Sequence, residues 1–128
     1  MQEDLGCGNQ TSGKIGEAIA VAFLEKNGYR IIEMNYRCSL GEIDIIAIEK
    51  KVLVFIEVKS RNTDRFGLPQ AAVGIKKQRK LSMLAQFYLQ EKKLQQCRAR
   101  FDVIAVKLNR ERPGVELIRN AFELSYGF

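Results

Sequence analysis

The chain has 128 residues, 46% of them apolar, which suits one domain with a real core and argues against wholesale disorder. Its 21 Lys and Arg against 15 Asp and Glu leave a net charge of +6, a balance that favours polyanionic partners such as nucleic acid. There is no histidine, so Ser-His-Asp triads, Cys-His dyads and histidine metal sites are excluded, and any acid–base or metal chemistry rests on carboxylates, lysines, tyrosines or thiols.

Residues 1–10 are polar and read as a flexible segment, which leaves 11–128 as a single domain. The opening Met1-Gln2-Glu3-Asp4 lacks the basic and apolar regions of a secretory signal. Thr11 or Ser12 can cap a helix that runs to about Asn27, with Gly28 as its stop. Ile15, Ala18, Ile19, Ala22 and Phe23 make one apolar face of that helix; Ala20, Val21 and Leu24 make a second. Glu17 heads the second stripe, so it is expected to be half-buried.

Tyr29 to Arg37 reads as a strand, and residues 41–49 and 52–60 as two more, joined by a turn at Lys50-Lys51. A polar loop from Arg61 to Leu68 leads to Pro69, which suits the start of the next element. The long helix that follows runs to about Leu94, with Leu81, Leu84, Ala85, Tyr88 and Leu89 on its core side. Ala99 to Leu108 reads as a fourth strand. A turn at Pro113-Gly114 leads to a short strand from Val115 to Arg119 and a tail. Three strands in a row suit an antiparallel meander, and the long helix can cross over to the next strand. The expected fold is α/β, a mixed central sheet flanked by helices. No apolar run approaches bilayer length, so no membrane span is expected. Cys7, Cys38 and Cys97 are odd in number and far apart, which fits the cytoplasm better than a disulfide framework.

Four charged residues interrupt the two central strands. Glu42 and Asp44 share a face by simple alternation, as do Glu57 and Lys59. With a two-residue turn at Lys50-Lys51, 44 pairs with 57 and 42 with 59, and all four side chains point one way. A three-residue turn destroys the cluster, and Lys-Lys permits the first register without requiring it. Two converging carboxylates need a cation or a proton between them. Mg²⁺ or Mn²⁺ suits the oxygen ligands Asp44 and Glu57, with the Val58 carbonyl as a further donor. Such an ion activates water and stabilises charge on a phosphate, and Lys59 can hold that water or neutralise the transition state. The structural reading is a cross-strand ion pair of Glu42 with Lys59 and a surface acid at Asp44. The two readings weigh about evenly on pattern, and the cost of acids amid Ile, Val and Phe tips the balance towards function.

Lys76, Lys77, Arg79 and Lys80 crowd the early part of the second helix, where cations oppose the macrodipole unless an anion is near. Arg61 and Arg65 lie close in sequence. Taken alone this is a solvated face. Beside an acidic cluster it reads as a phosphate path, recognising backbone or shape rather than base sequence.

Asp44, a twelve-residue gap and then Glu57-Val58-Lys59 resembles the PD-(D/E)XK nuclease signature. The order helix, three strands, helix, strand is similar to that superfamily's restriction-endonuclease-like αβββαβ core. Gly13 and Gly16-Glu17, Asn35-Tyr36-Arg37, Gly41-Glu42-Ile43-Asp44, Glu57-Val58-Lys59-Ser60-Arg61, Phe66-Gly67 with Pro69, Lys76-Lys77, Phe101-Asp102-Val103 and Asn120-Ala121-Phe122 resemble the YraN-like family of small bacterial proteins. That likeness covers nearly the whole chain from Gly13, and the family is related by fold to archaeal Holliday junction resolvases. The resemblance implies Asp44 and Glu57 as metal ligands, Lys59 as the catalytic lysine and Glu17 as the acid of the first helix. Glu42 belongs to the family's own motif as a secondary acid. Ile43 stands where the proline of the superfamily motif would be. A metal-dependent nuclease acting on DNA, including branched DNA, is therefore expected, with a homodimer implied by the resolvases. The alternative is a nucleic-acid-binding module of the same fold, inactive alone or active only with a partner.

Overall fold

The computed structural model describes residues 12–61, 73–109, 111 and 113–123. The proposed flexible segment 1–10 lies outside them. The elements are α1 (Ser12–Lys26), β1 (Arg30–Cys38), β2 (Gly41–Glu49), β3 (Val52–Arg61), α2 (Ile75–Glu91), β4 (Ala99–Lys107) and β5 (Gly114–Phe122). The strands form one mixed sheet in the order β1-β2-β3-β4-β5. Only the β3–β4 pair is parallel, and α2 makes the crossover between them. This is the expected α/β core, two helices on a five-stranded sheet. No helix among the described residues is long and apolar enough to cross a membrane.

The helix α1 ends where Gly28 takes φ +90, and Tyr29 N–H donates to the Leu24 carbonyl at 3.0 Å. A left-handed residue after the last turn lets the chain reverse and closes the free carbonyls. Of the two apolar stripes on α1, the second is the buried one. Ala20 and Leu24 are buried against Ile45, Val54, Ile56 and Ile104, whereas Ile15 and Ile19 are 45% and 37% exposed. Small residues decide this. Gly16 and Ala20, one turn apart, let the helix approach β3, and a Cβ on Gly16 would strike Ser60.

On the other side of the sheet, Leu81, Leu84 and Tyr88 of α2 cover Phe55, Phe101 and Val103. Here α2 starts after Gly74, Pro69 lying outside the described residues, and stops at Glu91, where Lys93 turns to φ +59 and Leu94 N–H caps the Leu89 carbonyl at 2.7 Å. The last strand is longer than Val115–Arg119. It continues to Phe122 past a break in register, with Asn120 at φ +52 and Phe122 stacked on Phe101 at 4.5 Å.

The β2–β3 hairpin has the two-residue turn. Glu49 pairs with Val52, and Lys50 and Lys51 both have positive φ, +50 and +69. Turns of this hand match strand twist and usually carry Asn or Gly, so two lysines hold the backbone in an unfavoured region.

Candidate active site

The β2–β3 ladder runs from Glu49–Val52 to Ile45–Ile56 and stops. The next step in that register would set Asp44 opposite Glu57. Instead β2 leaves the ladder, and the Asp44 carboxylate accepts the Val58 N–H at 2.8 Å. A residue that gives its N–H across an antiparallel ladder also presents its carbonyl on the same side. The Val58 carbonyl therefore points into the opening that Asp44 borders.

Side-chain alternation breaks at Asp44. Ile45 packs on the α1 side of the sheet and Ile43, two residues earlier, on the α2 side. Across on β1, Asn35 lies between the Met34–Ile45 and Tyr36–Ile43 pairs with φ +52. The expected pairing of 44 with 57 and 42 with 59 is thus corrected: the ladder ends at Ile45–Ile56, and regular alternation does not run through Asp44. The Glu42–Lys59 ion pair does not form either. Glu42 accepts the Asn35 side-chain N–H at 2.8 Å and pairs with Arg37 Nε at 3.5 Å. The same Asn35 amide lies 3.3 Å from both Glu17 oxygens. Asn35 thereby ties the acid of α1 to the acid of β2. Its side-chain role had no signal in the sequence beyond the motif that contains it.

Glu57 is buried, with 8% of its side chain exposed. Lys59 Nζ stands 3.3 Å from its Oε2, and Lys77 Nζ, from α2, stands 2.6 Å from the same oxygen. The contact with Lys77 was not anticipated, because a side chain in a basic run carries no mark of the strand it will meet. Burial pulls the Lys77 ammonium down, but the bond and charge of Glu57 outweigh it and raise its pKa above the ordinary lysine value. Asp44 is half-buried. Burial first, then the Glu57 charge, pushes its carboxyl up to about 7; the Val58 N–H pulls it down, and Glu17 and Glu42 add to the rise.

Among the described residues no three Asp, Glu or Cys side chains converge as a ready-made metal cage. The set is two carboxylates and a strand carbonyl, with Glu17 and Glu42 held by Asn35. That fits Mg²⁺ or Mn²⁺, which are bound by one or two carboxylates and keep several waters. A soft or high-coordination ion would find too few donors here.

The basic residues divide. Lys77 and Lys80 wall a cleft of about 210 Å³ with Gly41, Glu42, Leu81 and Leu84, beside Glu57. Lys76 and Arg79 are exposed on α2 away from that cleft. Arg61 closes β3, its carbonyl accepting Leu108 N–H at 2.7 Å. Arg65 lies outside the described residues. Tyr29 and Tyr36 are core residues, 3% and 6% exposed.

Residues 16–106 match the family model described as "Uncharacterised protein family UPF0102". The chain is 56% identical over 119 residues to a UPF0102 protein of Syntrophus aciditrophicus, covering 93% of this chain and 94% of that one. It is 50% identical over 119 residues to a UPF0102 protein of Geotalea daltonii, covering 92% and 94%. A solved structure, Pyrococcus furiosus SfsA in complex with Ca²⁺, aligns at 14% identity over 84% of this chain and 61% of that chain, with a TM-score of 0.37. A likeness that low carries no weight for fold or site.

Proposed function

The chain belongs to the uncharacterised protein family UPF0102, and we propose that it is a Mg²⁺- or Mn²⁺-dependent nuclease hydrolysing DNA phosphodiester bonds. One observation carries the reading. Where the sheet opens, Asp44 accepts the Val58 N–H beside Glu57, and burial first, then the Glu57 charge, pushes its carboxyl up to about 7, an imbalance a divalent cation would cancel.

Asp44, Glu57 and the Val58 carbonyl would hold the ion. When bound, it supplies an activated water and stabilises charge on the phosphate. Val58 N–H fixes the Asp44 carboxylate, so little reorientation is needed on binding. Lys59, next to Glu57, would donate a hydrogen bond to the attacking water or to the developing charge on a phosphate oxygen. Glu17, oriented by Asn35, would hold a water at the rim of the site. Lys77 and Lys80 would neutralise neighbouring phosphates in the cleft, and Arg61, Lys76 and Arg79 would add basic charge for phosphates beyond it; Arg65, outside the described residues, would serve the same backbone contacts.

The test is a panel of single-stranded, duplex, flapped and four-way DNA with Mn²⁺. Wild type is expected to cut at least one substrate. Asp44→Asn and Glu57→Gln should abolish cutting, and Lys59→Met should lower it by on the order of a hundredfold, with the fold intact by circular dichroism. Cutting that persists in both acid variants would assign the activity to another site.

The second reading, a DNA-binding module inactive alone, is favoured by the two ammonium groups already on Glu57. Such a protein cuts nothing in the panel yet binds DNA with a log–log salt slope of about −0.9 per phosphate neutralised. Under either reading, replacing Lys76, Lys77 and Lys80 flattens that slope. The resemblance to resolvases extends the proposal to a homodimer, checked by sedimentation of the purified chain, and the three scattered cysteines extend it to the cytoplasm, checked by cell fractionation.

A further inference from the structure

We propose that Lys77 gates the metal centre: without substrate its ammonium holds Glu57, and a DNA phosphate in the adjoining cleft draws it away, so that DNA and divalent cation bind cooperatively. This rests on the reading of Asp44 and Glu57 as metal ligands.

The geometry sets up a competition. Lys59 and Lys77 both address Oε2 of one buried carboxylate, at 3.3 and 2.6 Å. A divalent ion arriving at Glu57 meets an ammonium already in hydrogen-bond contact, and like charges at that range repel strongly in a partly desolvated site. An ion that takes Oε2 displaces one lysine, and an ion on the other oxygen still feels both ammonium charges. Lys59 is the poorer candidate: it stands two residues from Glu57 on the same strand, and its side chain is 25% exposed. Lys77 is 46% exposed and rises from the first turn of α2 on a flexible four-carbon stem. It also walls the cleft of about 210 Å³ with Lys80. A phosphate there offers Lys77 an acceptor that replaces Glu57, with Lys80 as a second cation beside it. Glu42, on the same cleft, is partly offset by Arg37 and Asn35. Phosphate thus exposes the carboxylate, and the cation, by linkage, tightens the grip on DNA by the same factor.

The experiment titrates Mn²⁺ by calorimetry and by the electron-spin signal of the free ion, with and without a short phosphorothioate duplex. Wild type should bind Mn²⁺ about tenfold tighter once the duplex is present. Lys77→Met should bind Mn²⁺ about that much tighter without DNA and gain little from the duplex. Lys26→Met, which removes the same charge from the exposed end of α1, should behave as wild type. Equal Mn²⁺ affinity in wild type and Lys77→Met, lost from both on adding Asp44→Asn, overturns the gate and leaves the metal centre standing. Absence of any Asp44-dependent Mn²⁺ binding in either protein removes both.

Discussion

Asp44 is surrounded by Glu57, Glu17 and Glu42, and burial together with these charges raises its pKa from 3.8 to about 7. The folded protein therefore holds a proton that the unfolded chain has released between those two values. With more protons bound in the folded state, stability falls as pH rises across that window and is level above it. The slope approaches about 1.4 kcal/mol per pH unit, reduced to the extent that solvent screens a half-buried group. A divalent ion bound only to the folded, ionised form would remove the loss. Asp44→Asn keeps an acceptor for the Val58 N–H and cannot ionise. It is expected to melt several degrees above wild type at about pH 8, to match it at about pH 4, and to show no stabilisation by Mn²⁺. Thermal melts at the two pH values check this; a variant less stable than wild type at the higher pH contradicts it.

Among the elements, α1 depends on one close contact. A Cβ on Gly16 would come within 3.0 Å of the Ser60 Cβ and closer still to its hydroxyl, which is buried and without a hydrogen-bond partner among the described residues. Gly16→Ala is expected to cost about 1–3 kcal/mol by forcing the helix off β3, and to shift Glu17, its neighbour, away from Asn35. Ser60→Ala should be nearly neutral because the hydroxyl it removes is unsatisfied. The double variant Gly16→Ala/Ser60→Ala should recover part of the loss, and urea midpoints of the four proteins close the cycle. The seat of α1 also marks how much a single sequence discloses. The hairpin was legible as two runs of alternating Ile and Val about Lys50-Lys51, while its two-residue register was one of two that the turn left open. The half-burial of Glu17 was legible because it extends the stripe of Val21 and Leu24. Which stripe packs was hidden, since periodicity counts apolar residues whereas Gly16 and Ala20 decide by their small size. The skipped beat at Asn35 and Asp44 was hidden too, because a period of two assumes an undistorted strand. The end of β5 at Phe122 depends on Phe101, a partner that no local pattern could indicate.

Across the whole molecule the sheet is open at one end and clamped at the other. The opening lies where β2 leaves β3 at Asp44. At the turn end of that hairpin, Arg100 Nη2 is 2.6 Å from Glu49 Oε1, and Arg100 Nε is 2.9 Å from Asp102 Oδ1. Arg119 Nη1 adds 2.8 Å bonds to both Glu49 oxygens, Tyr29 hydroxyl donates to Asp102 at 2.7 Å, and Asn120 N–H donates to it at 2.8 Å. One network therefore joins β2, β4, β5 and the entry to β1. Both acids are nearly sealed, Glu49 at 4% and Asp102 at 1% exposure. Burial raises Glu49, but its bonds to Arg100 and Arg119 outweigh this and bring its pKa below the usual value. Burial lowers Arg100, and the bonds to Asp102 and Glu49 outweigh that in turn. The network ties the strands together at the end opposite the opening. Arg100→Met tests the network. It leaves two buried carboxylates short of a partner and should cost about 3–5 kcal/mol at neutral pH. The sign with pH follows from the same groups. Without Arg100 the Glu49 carboxylate loses one of the two arginines that hold its pKa below the usual value, so the deficit should shrink as pH falls. Arg100→Met/Glu49→Gln/Asp102→Asn, with no charge left to bury, should recover much of the loss at about pH 8. Urea unfolding of wild type and both variants at that pH and in acid decides it; a deficit that does not vary with pH would mean that Arg100 acts through packing rather than through its charge.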